Sequence, residues 1–132
     1  MEQTKSFQNI YHFDRLHSPA KLYQNQCLLS SSKNYYLIIQ SDGRLKIYVS
    51  SHFTAKNEIY NISLYKNGVA PFYLKLNSNA RLAIYDYNND ECWNNGCEKK
   101  EGHYIAILQN NGNLEIHDEL ENLLWESESG VN

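Results

Sequence analysis

Apolar and polar positions follow the same course in three twelve-residue stretches: 37–48 (LIIQSDGRLKIY), 74–85 (LKLNSNARLAIY) and 106–117 (AILQNNGNLEIH). With Gln40, Asn77 and Gln109 in register, the copies lie 37 and 32 positions apart, a period typical of internally repeated architectures. Each copy has short apolar runs on both sides of a polar centre. Asp42-Gly43 and Asn111-Gly112 supply turn signals in the first and third, so each copy reads as a β-hairpin.

Side-chain parity fixes the kind of turn. A two-residue loop would put Gln40 on the same side as Leu45, and neither face would be apolar. An odd-length turn instead directs Leu37, Ile39, Leu45 and Ile47 one way, and Gln40, Lys46 and Tyr48 the other. The same parity gives Leu74, Leu76, Leu82 and Ile84 an inner face in the second copy, and Ala106, Leu108, Leu114 and Ile116 in the third. A lone hairpin is marginal in water. Three hairpins with one oily face each are therefore expected to pack around a shared axis, giving an all-β domain with pseudo-threefold symmetry.

The flanks extend this pattern. Leu16 and Leu22 surround the turn residues Ser18-Pro19-Ala20, and Cys27-Leu28-Leu29 follows, which suggests two more short strands. Trp93 and Trp125 each lie eight positions beyond the end of their copy. Tyr60 takes the matching place after the first copy, behind a four-residue insertion. These rings are expected to fill the core near the axis, where large aromatics bury the most area. The stretch 92–102 is polar and reads as a connector, and no useful helical period occurs anywhere. Residues 1–12 are expected to form a loose arm, 13–128 the domain, and 129–132 a tail.

At 132 residues the chain is one domain by length. Its net charge of -3 argues against nucleic-acid binding, which needs a basic face. No run approaches a membrane span, and the first residues lack the apolar core of a secretory signal. A cytoplasmic protein, or one released without a leader, is expected. The three cysteines fit a reducing compartment; Cys92 and Cys97 either remain free or close a small loop around Trp93. With His103 they lack a fourth zinc ligand, so no metal and no cofactor are expected. No catalytic constellation stands out, and no enzyme activity is expected.

The nine residues 40–48, QSDGRLKIY, resemble the Q-x-D-x-N-x-V-x-Y signature of the bulb-type (monocot) mannose-binding lectins. The resemblance covers roughly 14–127 and includes all three copies, the opening strand and the two tryptophans. It implies a β-prism II fold, with three four-stranded antiparallel sheets and a C-terminal strand, here 122–127, through which two subunits pair. The apolar Leu120, Leu123, Leu124 and Trp125 fit a strand that either pairs with a partner or closes its own sheet, and a homodimer is the expected assembly. Trefoil lectins of the ricin type, the other threefold candidate, carry Q-x-W repeats that are absent here.

The resemblance also assigns roles to outward residues: the Asp and Asn of the signature hold the axial hydroxyl of mannose, the Gln and Tyr hold its neighbours, and the Val packs on the ring. The first copy keeps Gln40, Asp42 and Tyr48 but has Arg44 and Lys46 at the other places. The second keeps only Tyr85, with Asn77, Asn79, Arg81 and Ala83 elsewhere. The third keeps Gln109 and Asn113, with Asn111, Glu115 and His117 replacing the rest. Gly43 and Phe72 occupy the positions of the family's disulfide. The candidate carbohydrate-binding residues are therefore Gln40, Asp42, Arg44, Lys46 and Tyr48, then Gln109, Asn111 and Asn113, while the second copy reads as a solvated hairpin face. The expected function is a carbohydrate-binding module for a mannose-type or anionic glycan, with the first copy as the leading site, where Arg44 and Lys46 could recruit an anionic sugar and weaken binding of neutral mannose. The competing function is a protein-interaction module that presents Tyr11, Phe13 and other tyrosines.

Overall fold

A computed structural model describes residues 10–11 and 14–131. The expected arm thus falls mostly outside the described residues. Within it, Ile10–Tyr11 forms a short strand, β1, paired in parallel with a later strand.

Each of the three copies folds as a hairpin with the predicted parity. Strands β5 (Tyr36–Ile39) and β6 (Leu45–Tyr48) form the first, β8 (Tyr73–Leu76) and β9 (Leu82–Tyr85) the second, and β11 (Ile105–Leu108) and β12 (Leu114–His117) the third. Ile39 pairs with Leu45, Leu76 with Leu82 and Leu108 with Leu114, so each turn holds an odd number of residues.

The turns share one set of bonds. Gln40 N–H donates to Arg44 O at 3.1 Å and Gly43 N–H to Gln40 O at 2.8 Å, while the Asp42 carboxylate accepts Arg44 N–H at 3.0 Å. Asn77, Arg81, Ala80 and Asn79 repeat the set in the second copy, and Gln109, Asn113, Gly112 and Asn111 in the third. The fourth turn position is left-handed in all three, with φ of +85° at Gly43, +70° at Ala80 and +92° at Gly112. Glycine adopts this freely, whereas Ala80 holds it at a cost of about 1 kcal/mol.

A fourth strand flanks each hairpin: β7 (Glu58–Asn61), β10 (Glu91–Asn94) and β13 (Leu123–Glu126). These strands carry Tyr60, Trp93 and Trp125. The opening segment is divided among the sheets: β2 (Arg15–His17) pairs with β11, β3 (Ala20–Tyr23) with β8, and β4 (Cys27–Leu29) with β5. The sheet orders are β1-β4-β5-β6-β7, β10-β9-β8-β3 and β13-β12-β11-β2. This is the β-prism II arrangement about a pseudo-threefold axis, with β1 as a fifth, parallel strand on the first sheet.

All twelve inward residues named from parity are buried in a single core that also holds Leu16, Leu22 and Leu28. Trp93 and Trp125 pack against that core with ring centroids 6.4 Å apart, edge to face, and Tyr60 packs on it as well. Full burial of one such aliphatic side chain is worth about 1.5–3 kcal/mol, so the inner faces dominate the fold.

Two readings of the flanks change. The polar stretch from Cys92 onward begins as strand β10, because Cys92 is buried and Trp93 packs inward, and becomes a connector only beyond Asn94. Of the expected tail, Ser129 and Val131 are bonded to the third hairpin, through Ser129 Oγ–H to Gly112 O at 2.8 Å and Val131 N–H to Asn111 O at 2.9 Å. The cysteines are free and buried. A Cβ built on Gly43 would lie 2.8 Å from the Phe72 ring, so these two positions adjoin in space and the ring fills the place that the resemblance gives to a disulfide. No helix among the described residues is long and apolar enough to cross a membrane.

Candidate functional site

The outward positions of the three hairpins fold into three different environments. In the first copy, Gln40 Nε2–H donates to the Tyr48 hydroxyl at 3.2 Å, which joins the two ends of the signature. Tyr48 is nevertheless only 2% exposed. The insertion between β6 and β7 carries Phe53 back over the hairpin, where its ring stacks on Tyr48 at 4.9 Å and meets Tyr36 edge-on at 5.6 Å. The two cations are matched locally. Arg44 sits 3.8 Å from the Asp42 carboxylate and donates to Asn61 Oδ1 and Ile62 O, both at 3.3 Å, while Lys46 pairs with Glu58 at 3.3 Å.

The third copy is closed by its own chain. Asn113 is 5% exposed and donates to Glu115 at 2.9 Å and Glu126 at 2.7 Å. Its carbonyl oxygen accepts from Ser127 Oγ–H and Ser129 N–H. Glu115 also takes Gln109 Nε2–H at 3.1 Å and lies 2.9 Å from His117 Nε2. Gln109 and Asn113 thus meet through Glu115, and Asn111 is occupied in capping the turn.

The second hairpin is open. A cavity of about 380 Å³ is lined by Asn77, Ser78, Asn79, Arg81, Tyr85 and Glu101. Asn77 Nδ2–H donates to the Tyr85 hydroxyl at 3.2 Å, just as Gln40 does to Tyr48. Asn79 caps the turn through its oxygen, which leaves its amide N–H groups to donate. Arg81 is held by two 3.0 Å bonds to Glu91, with Glu98 at 3.7 Å. Glu91 also accepts from Asn94 at 2.8 Å and from the Tyr65 hydroxyl. The Arg81 guanidinium, followed by the Tyr65 and Asn94 bonds, outweighs burial and lowers the Glu91 carboxyl to about 2. Polar, fixed and open, this surface suits a ligand rich in hydroxyl groups.

Several residues in this arrangement carried no sequence signal. Glu101 lies in a connector and reaches the cavity because Lys99 N–H bonds Asn79 O at 2.7 Å and Gly102 N–H bonds Ser78 O at 2.8 Å. Phe53 was signalled only indirectly, by the four extra residues before Tyr60. Among the described residues, no three His, Cys, Asp or Glu side chains gather as a metal site would require.

No family model matches the chain. Mannose-specific lectin 2 of Colocasia esculenta is 29% identical over 127 residues, which is 93% of this chain and 43% of that protein. The chain therefore spans less than half the length of this curated relative. Among solved structures, a monomeric monocot mannose-binding lectin from Gastrodia elata superposes with a TM-score of 0.76 at 26% identity, covering 89% of this chain and 99% of that one. Polygonatum cyrtonema lectin, solved with a monomannoside, gives 0.68 at 28% identity over 90% and 99%. These proteins are lectins, and lectins bind sugars without catalysing a reaction. With its inward parity and prism fold, the chain is similar in sequence and structure to the bulb-type (monocot) mannose-binding lectins, and it carries substitutions in every copy of their signature.

Proposed function

We propose that this chain is a non-enzymatic carbohydrate-binding module whose open site lies on the second hairpin and takes a neutral, mannose-type sugar. The supporting observation is the 380 Å³ cavity at Asn77, Asn79, Arg81 and Tyr85, while the counterparts on the other hairpins are covered by Phe53 and by 127–131. Tyr85 O–H, Asn79 N–H and the Glu101 carboxylate offer donors and acceptors to adjacent hydroxyls, and a wrong epimer would leave some of them unpaired. Arg81 is already paired with Glu91 and Glu98, and Glu101 lines the same cavity, which disfavours an anionic glycan here. On the first hairpin, Arg44 and Lys46 are already paired with acids.

One shallow polar site corresponds to a Kd of about 1 mM, or about -4 kcal/mol. NMR titration with methyl mannoside should move signals of 77–85. Asn79→Ala and Tyr85→Phe should abolish this response and Asp42→Ala should preserve it, whereas a sialylated glycan should have no effect. Movement confined to 40–48 or 109–117 would assign the sugar to another hairpin. The closure of two of the three hairpins supports a second reading, a protein-interaction module that has lost sugar binding. It takes the lead if no glycan perturbs the protein at about 50 mM, well above that Kd.

A further inference from the structure

We infer that the outer face of the second sheet extends the second-hairpin site into an aromatic platform for an oligosaccharide, so that the module reads a chain of sugars and not only a terminal one. This inference rests on the sugar-binding reading of that hairpin. Tyr23, Tyr73 and Tyr85 occupy one cross-strand row, since Tyr23 pairs with Tyr73 and Tyr73 with Tyr85. Their ring centroids step by 6.0 and 5.2 Å, with Tyr73 and Tyr85 stacked at 24°. The row starts in the cavity, which Tyr85 lines, and ends on β3, the edge strand of the sheet.

Beyond Tyr85 the row opens into a groove of about 440 Å³, lined by Tyr23, Tyr73 and Tyr87 with Lys21, Gln24 and Asn89 among them. Tyr23 is 52% exposed and Tyr87 66%. Contiguous exposed rings mark a contact surface, and here Tyr23 on the edge strand and Tyr87 in the turn 86–90 line one groove. Their setting is ordered: the Tyr73 hydroxyl donates to Asn89 Oδ1 at 2.8 Å, and Lys21 Nζ sits 4.8 Å from the Tyr73 centroid. Gln24 spends its oxygen on Phe72 N–H at 2.9 Å, so its amide hydrogens remain donors.

The occupant that fits is a pyranose, which has a flat C–H face to lay on a ring and hydroxyls at its edge for the interleaved polar groups. The groove has the volume of a small-molecule site and not the breadth of a protein interface. The first sheet offers an internal precedent. The equivalent row there, Tyr36 paired with Tyr48, is covered by a flat ring of the chain itself, Phe53, delivered by the insertion. In the second sheet β9 and β10 are joined by the short turn 86–90, in which Asp86 N–H bonds Asp90 O at 3.0 Å. That turn carries Tyr87, whose ring stays 66% exposed and lines the groove beside Tyr73.

The test compares methyl mannoside with a linear mannotriose on the intact chain by calorimetry and NMR. The trisaccharide should bind about tenfold tighter, as one or two stacked rings would provide, and should shift signals of Tyr23 and Tyr87. Tyr23→Ala or Tyr87→Ala should remove that gain and leave methyl mannoside binding unchanged, while Tyr23→Phe should keep it. Equal affinity for the two sugars, or a gain that survives both alanine variants, overturns the platform while leaving the second-hairpin site intact. Loss of methyl mannoside binding in the wild type overturns both. Cross-linking from Tyr23 to a protein, with no gain for the trisaccharide, would reassign the surface as a protein contact.

Discussion

The Arg81–Glu91 pair links the stability of the fold to the geometry of the open site, and Glu91→Gln isolates it. The wild-type carboxylate receives two 3.0 Å bonds from Arg81 plus those from Asn94 and Tyr65, and these hold its carboxyl at about 2 against an ordinary 4.5. The difference, at 1.36 kcal/mol per pH unit, sets a ceiling of about 3 kcal/mol. With 28% of the Arg81 side chain and 26% of the Glu91 side chain exposed, solvent screening and side-chain ordering reduce this to about 1–2 kcal/mol. The folded carboxyl titrates below the unfolded one, so the contribution is complete above about pH 4.5 and disappears as the pH falls towards 2. Urea denaturation should therefore separate wild type from Glu91→Gln by about 1–2 kcal/mol at pH 7, narrowing to under about 0.5 kcal/mol near pH 2. A gap of the same size at both pH values would mean that the substitution acts through packing, and the charge argument would fail.

Two further outcomes follow from the covers on the other hairpins. Phe53→Ala should cost about 1–2 kcal/mol, from a lost aromatic stack and half-buried area, and should open Tyr48 to a soluble paramagnetic probe in NMR; continued protection of Tyr48 would show that Phe53 is not its cover. Truncation after Asn122 removes β13 with Trp125, which packs on Trp93, and should cost about 3 kcal/mol or more; a thermal midpoint unchanged from wild type would exclude β13 from the core.

The fold was legible where the signal is local. Parity alone named the twelve inward residues of the hairpins, because a one-residue slip would have turned each set outward. The shared eight-residue offset placed Trp93 and Trp125. Strand β10 was hidden because it has only Cys92 and Trp93 as apolar marks within a polar run, and β1 because two residues carry no period. The open site was not legible, since openness depends on what the rest of the chain lays over each hairpin. Phe53, the 127–131 segment and Glu101 arrive through contacts distant in sequence, such as Gly102 N–H to Ser78 O, and no periodicity records them.

The signature itself explains why counting its retained residues misleads. The second polar position, Asp42, Asn79 or Asn111, spends a side-chain oxygen on the N–H two residues later in its own turn, at 3.0, 3.1 and 3.0 Å. An Asp or Asn is therefore selected there by the hairpin, which stands on this cap with or without a sugar. The first and last positions carry more information. Gln40 with Tyr48 and Asn77 with Tyr85 form matching 3.2 Å amide–hydroxyl pairs, whereas in the third copy Glu115 stands between Gln109 and His117 and replaces that pair. Two hairpins thus keep an amide–hydroxyl pair at the ends of the signature, the second with Asn77 in place of the Gln. Of these, the first has Phe53 stacked on Tyr48 whereas Tyr85 of the second lines an open cavity, which is why the copy with fewest signature residues presents the accessible one.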